Sequence, residues 1–245
     1  KHNRNMQEYK SPLEMLYHWE QNSPDKLYLR QPIKGEWHKW TWTETAEQVR
    51  KMATYLTSLD LPPNSKVALL SKNCAHWLFA DLAIMMAGHV SVPLYPNLKS
   101  ESLAQILEHS ESKLLFVGKL DDFESLKPGI PKDFPCITFP FYAEEGYPMW
   151  NDLIEGVEPM TGDLVRDPNE LATIIYTSGT TGIPKGVMHK FHNFSFSAGN
   201  AVPLLGLGVD DRLFSYLPLC HIAERLLVEM GSLYSGSMVS FAESL

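Results

Sequence analysis

The chain has 245 residues, of which 44% are hydrophobic and 20% charged, and this ordinary globular composition excludes a disordered, collagen-like or low-complexity polypeptide. Its 21 basic and 29 acidic residues give a net charge of -8. No global positive field is therefore available for nucleic acid, and a phosphate ligand would need a local site. The three cysteines are widely spaced without a CxxC pair, which argues against a disulfide framework or a cysteine zinc site and favours a reducing compartment.

Neither a secretory leader nor a membrane span is predicted from the residues given. The first residues are polar and contain no apolar core of a signal peptide. The most apolar window, residues 77–94, is interrupted by Asp81, Gly88, His89 and Pro93, whereas a span needs about 20 nearly uninterrupted apolar residues. We therefore expect a cytoplasmic protein, and we interpret this window as a buried helix followed by a buried strand.

The N-terminal part of the chain is predicted to contain a helix, a strand and a second helix. Residues 11–14, Ser-Pro-Leu-Glu, have the form of a capping box with proline at the first helical position, so a helix should begin there. Residues 37–42 alternate large apolar with polar or basic side chains and indicate a strand. Thr43 is the predicted N-cap of the next helix, whose apolar face comprises Ala46, Val49, Ala53 and Leu56.

Short apolar runs then alternate with helical stretches. The apolar runs lie at residues 67–70, 90–94 and 114–117, and helices are predicted at 75–87 and 103–109. Short apolar runs separated by helices are typical of buried parallel strands in βαβ units. The sequence therefore predicts an α/β fold built on a mainly parallel sheet.

Residues 127–168 are rich in proline, glycine, acidic and aromatic side chains, with one short helix predicted around 150–154. We interpret residues 1–245 as part of one domain. If the domain has an internal boundary, it lies in this stretch. Regular patterning resumes with a strand-like run from residue 171.

The most informative segment is the loop that follows this run, residues 176–187, Tyr-Thr-Ser-Gly-Thr-Thr-Gly-Ile-Pro-Lys-Gly-Val. Glycines allow successive backbone N–H groups to converge on an anion, hydroxyls add donors or a metal ligand, and lysine adds positive charge. The loop is not a Walker A motif, because Lys185 is followed by glycine instead of serine or threonine. Gly206 and Gly208 lack the third glycine of a dinucleotide fingerprint and are predicted to end a helix. A flexible surface turn is the alternative for an isolated Gly-Thr-Thr-Gly, but the whole ordered run favours phosphate binding.

The run at 176–187 resembles the phosphate-binding signature of the adenylate-forming superfamily, which contains acyl-CoA synthetases, luciferases and peptide-synthetase adenylation domains. Residues 217–225, Leu-Pro-Leu-Cys-His-Ile-Ala-Glu-Arg, resemble its next motif in the variant typical of long-chain acyl-CoA synthetases. Residues 87–96 and 41–44 are similar to earlier segments of the family. The resemblance covers nearly the whole chain and implies the N-terminal portion of the large domain of such an enzyme. The later adenine and ribose motifs, and the C-terminal lid domain with its catalytic lysine, are not in this sequence.

The resemblance implies that the parent protein joins a long-chain fatty acid to ATP, releasing pyrophosphate, and then passes the acyl group from acyl-AMP to coenzyme A. Thr180 is implied as the Mg²⁺ ligand, and we expect these 245 residues alone to be inactive. The residues implied to embrace the phosphates are Thr177, Ser178, Gly179, Thr180, Thr181, Gly182 and Lys185.

Two residues carry the implied catalytic roles. Lys185 would support the phosphates electrostatically, the alternative being a solvated turn lysine. His221 would lie at the edge of the acyl pocket near the carboxylate, the alternative being a helix N-terminal histidine hydrogen-bonded inside the core. Glu224, on the same helical face as His221, is the second expected substrate-binding residue. Glu224 and Arg225 could equally form an ordinary surface ion pair.

Other functional readings remain open at this level. An acyl-AMP ligase that feeds a carrier protein shares the same motifs, and a non-catalytic ATP-binding fragment is the alternative from a different class. The expected partners are a fatty acid, ATP and CoA, with no nucleic acid, and an enzyme of long acyl chains is compatible with peripheral contact with a membrane. His189 and His192 lack a third ligand nearby in sequence, so zinc is not predicted.

Overall fold

The structure is a computed structural model that describes residues 9–177 and 184–243. Its helices and strands follow the chain in the order α1 (Pro12–Asn22), β1 (Leu27–Ile33), β2 (Glu36–Thr41), α2 (Trp42–Ser58), β3 (Lys66–Leu70), α3 (Ala75–Met86), β4 (Val90–Leu94), α4 (Ser100–Ser110), β5 (Leu114–Val117), α5 (Phe123–Leu126), β6 (Cys136–Thr138), α6 (Trp150–Ile154), β7 (Leu171–Thr177), β8 (Lys185–Lys190), α7 (Phe191–Leu205), β9 (Arg212–Ser215), α8 (Ile222–Glu224), a π-helical turn (Arg225–Met230), α9 (Gly231–Ser235) and β10 (Met238–Phe241). None of the helices in these described ranges is long and apolar enough to cross a bilayer.

The strands form two sheets. The larger has the order β6-β5-β3-β4-β7-β8, in which neighbours are parallel except for β8, which runs antiparallel to β7. The smaller has the order β2-β1-β10-β9, with β10 parallel to both of its neighbours and β2 antiparallel to β1. The predicted α/β class with a mainly parallel sheet is confirmed.

Helix α3 lies at the centre of the molecule. All of its residues, Ala75 to Met86, are buried, because it packs against α2, against β1 of the smaller sheet and against β3 and β4 of the larger one. A helix that is apolar on every side has to be covered on every side, and α3 meets that requirement. The one acidic residue in it, Asp81, is fully buried as well.

The N-cap predicted for α1 agrees with the structure, and the N-cap predicted for α2 does not. Helix α1 begins as predicted, with reciprocal hydrogen bonds between Ser11 and Glu14. The predicted N-cap Thr43 of α2 is wrong, because the cap is Thr41, whose hydroxyl accepts from Glu44 N while the Glu44 carboxylate accepts from Thr41 N. Trp42 is consequently the first residue of the helix and not the last of the strand.

The irregular stretch 127–168 supplies an edge strand that the sequence did not predict. Strand β6 pairs in parallel with β5, and α6, found where it was predicted, buries Trp150 against the core. The remainder of this stretch is held by two arginines. Arg50 donates to the carbonyls of Met160 (3.1 Å) and Gly162 (2.7 Å), and Arg166 donates to the carbonyl of Met85 (2.8 Å). Arg50 thus satisfies two carbonyls of the irregular stretch, and Arg166 attaches the end of that stretch to the C-terminal end of α3.

Candidate functional site

The predicted phosphate loop connects the two strands of an antiparallel hairpin. Thr177, the last residue of β7, is opposite Lys185, the first residue of β8, and both side chains are exposed. The structure therefore brings these two predicted site residues together at the base of the loop. Five further predicted residues lie outside the described ranges, namely Ser178, Gly179, Thr180, Thr181 and Gly182.

The hairpin projects from the carboxyl edge of the larger sheet. Strand β7 pairs in parallel with β4, through Ser91 opposite Thr173, and β4 pairs in parallel with β3, so all three strands end at the same edge. Ligands of open α/β sheets bind beyond the carboxyl ends of the strands. Thr177 and Lys185 therefore occupy the edge at which this class of fold builds its sites.

Asn73 joins this edge to the second predicted motif, and the sequence analysis missed it. Its side-chain nitrogen donates to Ser215 Oγ (2.8 Å) and to the carbonyl of Leu217 (2.6 Å), while its side-chain oxygen accepts from Leu219 N (3.0 Å). Asn73 thereby fixes the segment that leads from β9 to His221. The available signal was its position, three residues after the end of β3, where polar residues of parallel sheets meet ligands or neighbouring loops.

His221 is the N-cap of α8. Its Nδ1 accepts a hydrogen bond from Ala223 N at 3.2 Å, so in the neutral ring the hydrogen is on Nε2. The alternative of a hydrogen-bonded histidine at a helix N-terminus is therefore correct in its position, but it is wrong in placing the side chain inside the core, because the side chain is exposed. The capping bond fixes the ring at its Nδ1 end and leaves Nε2 available to a ligand.

Glu224 is nearly inaccessible to solvent. Its Oε1 accepts from Ser215 Oγ (3.1 Å) and from Tyr216 N (3.0 Å). Burial raises the pKa of this carboxyl, and the hydrogen bond from Ser215 acts in the opposite direction. The contacts of Glu224 thus support the segment between β9 and His221 from beneath.

Arg225 is also buried, with an exposed fraction of 0%. Its guanidinium pairs with Asp81 and with Glu229, which are both fully buried. The alternative of an ordinary surface ion pair between Glu224 and Arg225 is therefore wrong. Sequence spacing alone could not identify Asp81 as the partner, because it lies 144 residues earlier.

A small cavity of about 200 Å³ adjoins the segment held by Asn73. Lys72 and Lys119 line it, and burial lowers the pKa of Lys119. A wider groove of about 960 Å³ lies elsewhere, at the amino ends of β5 and β6. The small cavity, and not the larger groove, lies at the carboxyl edge of the sheet, as Thr177 and Lys185 do.

The two histidines beyond the loop do not form a metal centre with described neighbours. His189 packs near Phe194, and burial followed by the charge of Arg225 lowers its pKa. His192 Nδ1 lies 3.3 Å from the carbonyl of Pro168. Over residues 9–177 and 184–243, no three His, Cys, Asp or Glu side chains converge in a way that could hold a metal ion.

Comparison with protein families and curated proteins agrees with the resemblance stated from the sequence. The family described as AMP-binding enzyme matches residues 16–244. The chain is 29% identical to the long-chain-fatty-acid--CoA ligase FadD15 of Mycobacterium bovis, over 94% of this chain and 40% of the relative. It is 30% identical to the long-chain-fatty-acid--CoA ligase heimdall of Drosophila melanogaster, over 84% of this chain and 33% of the relative. The chain thus spans well under half the length of these relatives.

Solved structures show the same fold. The anthranilate CoA ligase AuaEII in complex with anthranoyl-AMP superposes with a TM-score of 0.85 at 22% identity, over 97% of this chain and 46% of that one. The N-terminal domain of FACL13 from Mycobacterium tuberculosis superposes with a TM-score of 0.82 at 23% identity, over 96% of this chain and 58% of that one. The described elements therefore correspond to part of a larger architecture.

Proposed function

The chain belongs to the AMP-binding enzyme family, and from this membership we propose that the protein containing it activates a long-chain fatty acid as an acyl-adenylate. A carboxylate oxygen attacks the α-phosphorus of ATP, an O–P bond forms, and the bond to the departing pyrophosphate breaks. The acyl group then passes to the thiol of coenzyme A, and AMP leaves. The long-chain substrate is supported by the curated relatives, which are named as long-chain ligases, and by the motif at residues 217–225.

The observation that carries this proposal is the hairpin base. Thr177 and Lys185 face each other at the carboxyl edge of the sheet, at the two ends of a loop rich in glycine and hydroxyl side chains. Prepositioned hydroxyl, N–H and ammonium donors stabilise charge that develops on phosphate oxygens more than they stabilise bound ATP. The loop therefore has the chemistry to lower the barrier to adenylation and not only to bind a nucleotide.

The remaining site assignments belong to this proposal. Ser178, Gly179, Thr180, Thr181 and Gly182 would bind the phosphates together with Thr177 and Lys185. Thr180 would contribute its hydroxyl to Mg²⁺, an ion that proteins commonly bind through few side chains, with substrate phosphates and water as its other ligands. The ion would neutralise phosphate charge.

His221 is proposed to meet the acyl carboxylate. Its Nε2 is free of the capping bond that Nδ1 makes with Ala223 N, and a ring N–H is a suitable donor to a carboxylate or phosphate oxygen. Glu224 is predicted from the sequence to bind substrate as well. Because its side chain is buried and accepts from Ser215 and Tyr216, its proposed contribution is to hold the segment that ends at His221.

The test is pyrophosphate release by the full-length protein from ATP and Mg²⁺, with and without palmitate. We expect palmitate-dependent release that falls at least about tenfold in Lys185→Ala and Thr180→Ala, because each removes a group that stabilises transition-state charge. Lys190→Ala is the matched control, since this exposed lysine lies at the other end of the same strand and should leave release unchanged.

Two outcomes would contradict the proposal. Release that is equal in all three variants would move the phosphate site away from this loop. A folded, ATP-binding protein that releases no pyrophosphate with any fatty acid would exclude the proposed substrate. Offering coenzyme A or an acyl carrier protein after adenylation identifies the acceptor, and transfer only to the carrier protein would replace the coenzyme A step.

A further inference from the structure

A charged network lies entirely inside the protein behind the site. The Arg225 guanidinium donates from Nη2 to Asp81 Oδ1 (2.7 Å) and Ser91 Oγ (3.1 Å), from Nη1 to Thr173 Oγ1 (2.7 Å), and from Nε to Glu229 Oε2 (3.1 Å). All five residues are fully buried. Removing charged groups from water opposes folding, so such a network is weak evidence for stability and calls for another explanation.

The network joins the elements that carry the two site motifs. Thr173 lies in β7, four residues before Thr177 at the base of the phosphate loop. Arg225 follows α8, four residues after His221. Asp81 belongs to the central helix α3. The guanidinium of Arg225 therefore links β7, the strand that precedes the proposed phosphate loop, to the helix that follows His221.

The helix is irregular at the network. Residues 225–230 form a π-helical turn between α8 and α9. A π turn holds one residue more than an α turn, which offsets the residues before it by about 100° relative to those after it. Arg225 and Glu229 are paired within this turn. The orientation of His221 relative to α9 thus depends on this π-helical turn, which the pair between Arg225 and Glu229 stabilises.

The charges within the network balance only if one acid is neutral. Burial, followed by the charge of Asp81, raises the pKa of Glu229 well above its ordinary value. Its Oε1 has no hydrogen-bond partner among the described residues, so Glu229 joins the network through Oε2. A neutral Glu229 leaves a single ion pair between Arg225 and Asp81.

We propose that Arg225 is a positioning residue for adenylation, which holds the His221 segment in register with the strand that carries the phosphate loop. It does so through Asp81 and Thr173, without contacting either substrate. The catalytic consequence rests on the proposed function, whereas the positioning itself does not. A misplacement of about 1 Å at a reacting group can cost about a hundredfold in rate, so a rigid link between the two motifs has a kinetic value.

Removal of all three ionisable groups together separates a positioning role from a contribution to stability. Replacement of a buried ion pair or triad by well-packed hydrophobic residues of similar volume is often neutral or stabilising, whereas removal of one partner leaves an uncompensated charge. The triple variant Asp81→Val, Arg225→Met, Glu229→Leu in the full-length protein should therefore fold. The matched control is Glu20→Gln with Arg50→Met, which removes another partly buried arginine pair on α1 and α2.

Two readouts are compared in wild type, triple variant and control. In the triple variant we expect kcat for palmitate-dependent pyrophosphate release to fall at least about tenfold, with little change in KM for ATP. We also expect amide hydrogen exchange of residues 212–224 and 171–177 to accelerate at least about tenfold. The control should match the wild type in kcat and in the exchange of both segments.

A folded triple variant with wild-type kcat and exchange would overturn the proposal. If the wild type releases no pyrophosphate, the proposed function fails and the exchange data alone decide, with unchanged exchange again overturning the positioning role. If the triple variant does not fold, Arg225→Lys replaces it, because lysine keeps the charge but not the fork that reaches Asp81 and Thr173 together. A lowered kcat in folded Arg225→Lys supports the proposal, and a wild-type kcat refutes it.

Discussion

We predict that His76 makes the free energy of unfolding decrease as the pH is lowered through a defined range. It is the second residue of α3, is 5% exposed, and lies among the rings of Phe79 (5.0 Å), Trp150 (5.5 Å) and Phe139 (5.7 Å) between centroids. Burial in this aromatic environment lowers its pKa from 6.5 to about 3. An imidazolium would be placed among hydrocarbon edges and deprived of water.

The direction of the pH dependence of stability follows from whether the unfolded or the folded state binds the proton at the higher pH. In the unfolded chain His76 takes up its proton as the pH falls through 6.5, whereas in the folded protein it remains neutral until about pH 3. Stability is therefore complete above pH 6.5 and is lost progressively as the pH falls between these two values. Each pH unit in this window is worth about 1.4 kcal/mol, so lowering the pH from about 7.5 to about 5 should cost about 2 kcal/mol through this residue.

The measurement is urea unfolding at both pH values for wild type and for His76→Phe, which retains a ring but cannot titrate. A cavity of about 200 Å³ adjoins His76. Other groups titrate equally in both proteins, so the difference between their pH dependences isolates His76. We expect wild type to lose about 2 kcal/mol more than the variant. Equal losses would show that the imidazole is hydrated or finds a partner, and would refute the reasoning.

Two further predictions concern the capping motif and a tightly packed glycine. Thr41→Ala should destabilise the protein by about 1 kcal/mol, because the Thr41 hydroxyl accepts from Glu44 N, whereas Thr43→Ala at the exposed neighbouring position should change stability little; equal effects on the thermal midpoint would contradict the observed cap. Gly129→Ala should cost about 1–3 kcal/mol or more, since a Cβ there would lie 2.1 Å from the carbonyl oxygen of Ser100. Gly208→Ala meets nothing within 4 Å and serves as its control in denaturant unfolding, so similar midpoints for the two would argue against this packing.

The capping motifs show which local features the sequence could predict. The Ser11 box was found because serine, proline and glutamate stand at their ordinary positions. The second cap was placed two residues late, although Thr41 and Glu44 have the spacing of a capping box and Thr43 does not. The strand-like alternation that runs through Trp42 concealed it. Strand β6 is not predicted from the sequence, because its three residues are too few to show a periodicity.

The buried network shows what local reasoning could not supply. The pattern from His221 to Arg225 suggests a surface helix, since charges three and four residues apart ordinarily face water. The indication that Arg225 is buried lies elsewhere in the chain. Asp81 interrupts an otherwise apolar helix and so requires a partner in the core. Only the folded structure, in which Arg225 donates both to Asp81 of α3 and to Thr173 of β7, reveals Arg225 as that partner.

The place of β7 between β4 and β8 has a consequence for synthesis of the chain. Strands β3, β4 and β5 are complete once residue 117 has been made, but β7 begins only at residue 171, about 80 residues after β4 ends. At about 5–20 residues per second, the outer edge of β4 stays unpaired for roughly 4 to 16 seconds. An apolar strand with an open edge is a template for wrong pairing. A translational pause between residues 117 and 171 would prolong that exposure and would favour aggregation of the nascent chain over assembly of the β7–β8 hairpin.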